Sequence, residues 1–164
     1  MSDDAQSPTA GAKRAAPSLR SRALRFLARR EHSREELRRK LGGAEGAELQ
    51  AEVEALLDEF EQRGWLSEQR LSDQAVAHAR GRYGSRRVLD RLRQQGVSGE
   101  PLARAVNALK TQELESAWAV WRKRFGRLPA DLKERAKQAR FLEGRGFSPE
   151  AIRQVLKADF DEQD

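Results

Sequence analysis

Cysteine is absent from this chain of 164 residues, and no long apolar run occurs in it. Without thiols there is no disulfide and no thiolate metal site, which agrees with a reducing cytoplasm. No apolar stretch approaches the roughly 20 residues that cross a bilayer, and the N-terminus lacks the apolar segment of a signal peptide. We therefore expect a cytoplasmic protein that makes no contact with membranes.

Proline and aromatic residues are also scarce, with five prolines and 6% aromatic residues. This composition and the lack of convincing apolar–polar alternation argue against a β-sandwich. Apolar residues make up 38% of the chain and charged residues 35%, a balance that suits thin helical layers with much surface. The predicted fold class is all-α.

Catalytic and metal-binding signatures are missing as well. The chain has no H-E-x-x-H motif, phosphate-binding loop, dinucleotide fingerprint, nucleophile elbow or paired carboxylates of acid–base type. His32 and His78 are far apart and have no ligand companions, so both are expected to be ordinary surface or cap-adjacent histidines. The sequence predicts no enzymatic activity, no cofactor and no metal.

Start and stop signals divide the chain into short helices. Ser33 and Glu36 form a capping box, and Ser72, Ser85 and Ser98 stand at further predicted helix starts. Glycines mark the predicted ends. The predicted helices cover about 19–30, 34–41, 47–63, 73–82, 85–95, 98–109, 112–125, 129–144 and a last segment around 152–156.

Several apolar and aromatic residues are predicted to lie inside. Leu24 and Leu132 belong to predicted buried stripes, and the tryptophans Trp65, Trp118 and Trp121 are expected to be anchors between helices or repeats. An interface role for one tryptophan, Trp121 above all, is the minority interpretation. Tyr83 is expected to pack between helices rather than to stack on a base or a partner.

A period of about fifty residues becomes visible once the caps are marked. Gly96-Val97-Ser98 returns as Gly146-Phe147-Ser148, and the same shift places Leu92 on Leu142. One residue more, counted backwards, places Val88 on Leu37. The chain therefore divides into a disordered tail (1–18) and three tandem three-helix, helix-turn-helix-like repeats (19–67, 68–110 and 111–164). We expect thin cores of four to six apolar side chains and an elongated, curved array.

Charge is distributed in blocks, although the net charge is only +6. Residues 5–30 contain no acid, whereas residues 45–62 contain no base. We interpret this acidic run as a solvated face, or as one docked on basic residues of a partner or a neighbouring repeat. The basic clusters predict anion binding; their members are Arg34, Arg38, Arg39, Lys40, Arg82, Arg86, Arg87, Arg91, Arg93, Arg122, Lys123 and Arg124.

Arginine can form forked hydrogen bonds with phosphate or carboxylate, so these clusters leave DNA and an acidic protein surface both open.

Four segments resemble the RecX family of bacterial regulators of the RecA recombinase: ALRFLARREHSREELRRKL (23–41), DEFEQRGWL (58–66), GSRRVLDRLRQQGV (84–97) and RFLEGRGFSPEAIRQVL (140–156). The resemblance covers about residues 19–160. The chain departs from it at Ser85, where many relatives have proline.

This resemblance implies an all-helical, non-enzymatic protein that binds in the groove of the RecA–DNA filament. Such a protein modulates, and mainly inhibits, strand exchange, ATP hydrolysis and coprotease activity in recombinational DNA repair and the SOS response. It also binds single- and double-stranded DNA, more weakly. The basic residues listed above are then the candidate contacts to RecA and DNA, and we expect a monomer.

A tandem helix-turn-helix transcription regulator is the alternative hypothesis. The unit size and the basic helices suit it. The Asn or Gln expected on a base-reading helix is missing, because Gln94 and Gln95 fall at a helix end.

Overall fold

The chain folds into eight α-helices in the computed structural model, which describes residues 16–42 and 46–157. No strand occurs within these residues, which confirms the all-α prediction. Residues 1–15 of the predicted tail and 158–164 of the predicted third repeat lie outside the described residues. The helices are α1 (Leu19–Leu27), α2 (Arg34–Leu41), α3 (Ala47–Gln62), α4 (Glu68–Ala79), α5 (Ser85–Gln94), α6 (Gly99–Arg124), α7 (Leu132–Gly144) and α8 (Pro149–Leu156).

Most helix starts follow the local side-chain signals. The Ser33 hydroxyl oxygen accepts a hydrogen bond from the Glu36 amide, and the Glu36 carboxylate accepts one from the Ser33 amide. The predicted capping box is therefore confirmed. At α8, Ser148 accepts from the Ala151 amide and Pro149 is the first helical residue, where its missing N–H costs nothing.

Two serines predicted as N-caps are not the cap residues of their helices. Helix α4 begins at Glu68, because the Ser67 side chain accepts from the Arg70 amide and caps the helix one turn before the predicted cap, Ser72. Ser72 is instead buried within α4, and its hydroxyl has no hydrogen-bond partner in the described part of the chain. At α5, Gly84 is the cap residue and Ser85 is the first helical residue.

The largest difference from prediction is α6, a single helix of 26 residues where two helices were expected. Only Lys110 and Thr111 separate Leu109 from Gln112, and neither residue breaks a helix. Gln112 is buried, and its side-chain amide donates to the Val76 carbonyl at 3.1 Å. Because α6 packs against α4, α5, α7 and α8, it joins the predicted second and third repeats, and their predicted boundary falls inside it.

Each predicted repeat contributes its own hydrophobic core. The cores of the first, second and third repeats contain eight, seven and eight buried apolar residues. These cores are larger than the four to six side chains expected, in part because residues after the helix ends also turn inward. Leu66, Val97 and Phe147 are such residues, and each follows a predicted glycine stop.

Some residues predicted to be buried are exposed. Leu24 is 39% exposed because α1 packs through Ala23, Phe26 and Leu27 instead. Leu132 is 85% exposed, since α7 begins there, three residues later than predicted, and its first turn extends beyond the core. Trp65 is 41% exposed, although its ring packs edge-on against Phe60.

The other two tryptophans are the predicted anchors. Trp118 and Trp121 pack edge to face with ring centroids 5.3 Å apart. Trp121 is buried, and its indole N–H donates to Gln138 Oε1 at 2.7 Å. Its burial leaves no room for the minority interpretation of Trp121 as an interface residue.

Candidate interaction surface

The helices α2, α5 and α7 occupy equivalent places in the three repeats and meet end to end. At the contact between α7 and α5, the Gly84 amide donates to the Arg145 carbonyl at 2.9 Å, and the Arg86 amide donates to the Gly146 carbonyl at 3.1 Å. Free amides at a helix start carry partial positive charge and free carbonyls at a helix end partial negative charge. The two helix ends therefore satisfy each other.

The contact between α5 and α2 repeats this arrangement. The Ser33 hydroxyl donates to the Gln95 carbonyl, and the Arg39 guanidinium donates to the Gln94 carbonyl at 3.2 Å. Gln95 and Arg145 are fifty residues apart, so they are equivalent in the period of the sequence. The period thus describes how neighbouring repeats join as well as how each one folds.

Gly96 and Gly146 make these contacts sterically possible. Their φ angles are +84° and +86°, a conformation that favours glycine. A Cβ atom on Gly96 would lie 2.5 Å from Cβ of Glu35, and one on Gly146 would lie 2.5 Å from Cβ of Arg87. Both glycines are therefore needed for the close approach of the next repeat.

Glu113 joins the starts of two helices. Its Oε1 accepts hydrogen bonds from the Ser85 hydroxyl at 2.7 Å, the Ser85 amide at 3.2 Å and the Ser148 amide at 3.1 Å. Its Oε2 accepts from the Ser148 hydroxyl at 2.9 Å. A single carboxylate in α6 thus caps α5 and α8 together. The sequence contains no local signal for this role, because the residues involved are 28 and 35 positions apart.

The candidate arginines of α2 form ion pairs with acidic side chains of the same chain. Arg34 contacts Glu54 at 2.6 Å, Asp58 at 2.7 Å and Glu61 at 2.8 Å. Arg38 forms ion pairs with Glu35 and Glu54. Hydrogen bonds from Arg38 and Arg34 lower the pKa of Glu54 to about 2. The acidic run therefore docks in part on basic residues of its own repeat, and not on those of a partner or a neighbouring repeat as predicted.

The next two candidates also have partners within the chain. Arg39 lies 3.7 Å from the Glu35 carboxylate. Lys40 Nζ donates to His32 Nε2 at 2.8 Å and lies 4.9 Å from the centroid of the Phe26 ring. His32 is only 2% exposed and directly precedes the N-cap Ser33, so of the two predicted settings it has the cap-adjacent one and not the surface one. Burial, together with the charges of Arg30 and Lys40, lowers the pKa of His32 and favours the neutral ring.

The arginines of α5 are placed differently. Arg86, Arg87 and Arg91 are exposed, and within the described residues none of them has a carboxylate partner. We call these three side chains the α5 arginines. Arg93 pairs loosely with Asp90 at 3.6 Å, and the exposed Arg82 precedes the helix.

The α5 arginines border two clefts. One, with a volume of about 470 Å³, lies between α4 and α5 and is called the α4–α5 groove; Arg87 and Arg91 line it. The other, about 650 Å³, lies between α5 and the end of α7 and is lined by all three α5 arginines.

Alternating arginine side chains and aromatic rings, called here the ladder, extend from α5 to the basic cluster at the end of α6 (Arg122, Lys123 and Arg124). Arg87 lies 4.5 Å from the centroid of Tyr83, and Arg145 lies between Tyr83 and Phe141, at 5.8 and 5.3 Å. Arg124 follows, 5.9 Å from Phe141. Tyr83 is half-buried, as its predicted packing between helices requires. Next to this ladder, Arg122 and Lys123 are exposed at the end of α6.

Comparison with known proteins shows which family the chain belongs to. Residues 20–45 match the first three-helix domain of RecX, and residues 111–156 match the third. The regulatory protein RecX of Leptothrix cholodnii is 46% identical over 147 residues, which are 90% of this chain and 92% of that protein. The chain belongs to the RecX family. RecX of Ralstonia nicotianae is likewise 46% identical, over 85% of this chain and 87% of that protein.

Solved structures of RecX share the fold. The crystal structure of RecX from Lactobacillus salivarius matches with a TM-score of 0.68 at 14% identity, over 85% of this chain and 92% of that one. A second crystal structure of a regulatory protein RecX matches with a TM-score of 0.63 at 18% identity, over 85% and 71% of the two chains. The family resemblance expected from the sequence motifs is confirmed.

Two classes of site are missing from the described part of this RecX chain. Residues 16–42 and 46–157 contain no group of three or more histidines and carboxylates arranged to hold a metal ion. No helix among them is long and apolar enough to cross a membrane.

Proposed function

We propose that this RecX protein is a non-enzymatic modulator, mainly an inhibitor, of the RecA recombinase, and that it acts in the cytoplasm on the RecA–DNA filament. Its relatives are named regulatory proteins, which supports a regulatory role. The target follows from the family resemblance of the sequence, since that family regulates RecA. Recombinational repair and the SOS response are the processes in which it acts.

The observation that carries this proposal is the state of the α5 arginines. Three exposed guanidinium groups without internal carboxylate partners lie beside two clefts, within a helix whose two ends are fixed by the neighbouring repeats. Guanidinium groups in such a place bind an acidic protein surface or phosphates without first breaking internal ion pairs. We propose RecA as the main partner and DNA as a weaker one.

The joined repeats suggest how such a protein would inhibit. A monomer lying in the filament groove contacts successive RecA protomers through repeats that are connected by hydrogen bonds between helix ends and, for the second and third repeats, also by α6. Those protomers can then rearrange only if contacts to RecX break. ATP turnover, strand exchange and coprotease activity depend on such movements or on access to the groove, so all three are expected to fall.

The test is ATP hydrolysis by RecA on single-stranded DNA with increasing amounts of the protein. We expect hydrolysis to fall at amounts stoichiometric with filament sites, and co-sedimentation to show binding to the assembled filament. Unchanged hydrolysis at stoichiometric amounts would contradict the proposal. A steep fall of DNA affinity with salt is expected in parallel, because neutralised phosphates release counterions.

A transcription regulator is a poorer fit to this geometry. In a helix-turn-helix protein the N-terminal residues of the recognition helix contact base edges. Here the amides of Gly84 and Arg86 are bonded to the end of α7, so the start of α5 is covered. Selective binding to one duplex sequence, independent of RecA, would reverse this preference.

A further inference from the structure

The α4–α5 groove has an apolar floor, which binding to phosphates alone does not require. Leu71, Ala75, Ala79 and Val88 line its base, and the ring of Tyr83 lines one side. A volume of about 470 Å³ is within the range of clefts that hold a small ligand or a few side chains. The groove therefore offers contact to an apolar group as well as to a charged one.

The charges around the groove leave an excess of two cations. Arg30 is bound in a fork by Glu36 at 2.8 and 3.1 Å, and Glu31 is bound by Arg70 at 2.8 Å. Those lining charges are compensated inside the chain. Arg87 and Arg91 are not, since no carboxylate among the described residues pairs with either of them. An occupant of this groove is thus expected to bring carboxylates.

The cleft on the other side of α5 is different in kind. It presents Asp90 and Glu143 together with the α5 arginines, and its remaining lining is polar or backbone of glycines. Arg87 and Arg91 are shared by both clefts, whereas Arg86 lines only this polar one. The apolar floor is therefore specific to the α4–α5 side of the helix.

We propose that the α4–α5 groove binds an acidic peptide segment that carries an apolar side chain. The apolar side chain packs on the floor between α4 and α5, while flanking carboxylates pair with Arg87 and Arg91. A nucleic-acid backbone gains nothing from such a floor, so the segment belongs to a protein. The proposal rests on the proposed function for its setting, since the protein partner there is the filament.

Binding of a fluorescent peptide to the full-length chain tests this directly. The probe has Leu-Phe flanked on each side by two aspartates and a glycine, and a matched peptide has Ser-Ser in place of Leu-Phe. We expect saturable binding of the first peptide and binding at least about tenfold weaker for the second, because only the first buries apolar surface in the groove.

Two charge reversals on the same helix locate the site. Arg91→Glu is expected to weaken peptide binding by about tenfold or more, since it replaces an attractive contact with repulsion. Arg86→Glu changes the charge of the chain equally but lies outside the groove, so it should weaken peptide binding several-fold less than Arg91→Glu does. Circular dichroism must show equal helical content for both variants.

The outcomes separate this inference from the proposed function. Equal affinity for both peptides, or equal effects of Arg91→Glu and Arg86→Glu, would overturn the groove as a peptide site. If the wild-type chain inhibits RecA hydrolysis but binds neither peptide, the inference fails and the proposed function stands. If it binds the peptide selectively but leaves RecA hydrolysis unchanged, the proposed function fails and the groove remains a peptide site.

Discussion

Helices α2 and α5 each contain four basic residues, yet the structure uses their arginines in different ways. Arg34 and Arg38 of α2 are surrounded by Glu54, Asp58 and Glu61 of the following helix. The α5 arginines border α4 and the end of α7, and no carboxylate of the described residues forms an ion pair with them, although Glu143 of α7 lines one of the same clefts. The density of arginine in a segment therefore does not distinguish a binding face from an internal ion-pair network. Whether an arginine-rich helix becomes a binding face or part of an ion-pair network depends on whether an acidic segment packs against it.

The difference also separates two functions of charge. In α2 the guanidinium groups fasten α2 to α3 within one repeat, so their loss should be seen in stability. In α5 they contribute no such ion pair, so their loss should be seen in binding. Each of the following predictions changes one side of this comparison.

The largest effect is expected from reversing all three α5 arginines. In Arg86→Glu/Arg87→Glu/Arg91→Glu, attraction to an anionic partner becomes repulsion, and affinity for the RecA filament should fall by at least about a hundredfold. Helical content should be unchanged, because these side chains make no internal ion pair. Co-sedimentation with RecA on single-stranded DNA measures the affinity.

The matched control carries the same change of net charge elsewhere. Lys110, Lys133 and Lys137 are exposed on α6 and α7, and the triple Lys→Glu variant removes as much positive charge from the chain. If this variant loses as much affinity as the α5 variant, net charge rather than the α5 face governs binding, and the contrast between the two helices has no functional meaning.

The fold was predictable to a large extent, because caps, glycine stops and apolar spacing are local signals. The period of fifty residues even related Gly96 to Gly146, which make equivalent contacts with the neighbouring repeat. The continuity of α6 was missed because a boundary was inferred where no glycine or proline stands.

The candidate site was predictable only in outline. Arginine clusters can be read from the sequence, but their partners are set by tertiary packing. Arg34 lies 20 residues from Glu54 and 27 from Glu61, and no local pattern relates them. The same holds for Glu113, whose contacts to two helix starts arise only when α5 and α8 pack against α6.

A smaller effect, on stability alone, is expected in α2. Arg34→Met keeps the apolar stem but removes the charge that holds Glu54, Asp58 and Glu61 together, so the free energy of unfolding should fall by roughly 1–2 kcal/mol. Urea unfolding followed by circular dichroism measures this value. Arg91→Met is the matched variant on α5 and should leave the free energy of unfolding nearly unchanged. A larger loss for Arg91→Met than for Arg34→Met would reverse the roles assigned to the two helices.

The smallest expected effect is the response of the α2 network to acid. Hydrogen bonds from Arg38 and Arg34 hold the pKa of Glu54 at about 2, against an ordinary value of 4.5. Between these values the unfolded chain binds more protons than the folded one, so falling pH favours unfolding. The stabilisation from this carboxylate is complete above about pH 5 and is lost as the pH falls towards about 2. Since the Glu54 side chain is 40% exposed, solvent screening keeps the effect small.

Glu54→Gln isolates this contribution. The variant should have a lower Tm than the wild type at pH 6, and the difference should shrink as the pH approaches 2, because the wild-type carboxylate is then protonated as well. Replacing the α5 arginines by Gln should instead give a plot of Tm against pH that runs parallel to that of the wild type, since none of these arginines forms an ion pair with a carboxylate. If the difference in Tm between Glu54→Gln and the wild type stayed constant from pH 6 to pH 2, Glu54 would stabilise α2 by packing rather than by charge. The acid-sensitive part of the first repeat would then have to be sought in its other carboxylates, of which Glu36, held by Arg30, also has a lowered pKa.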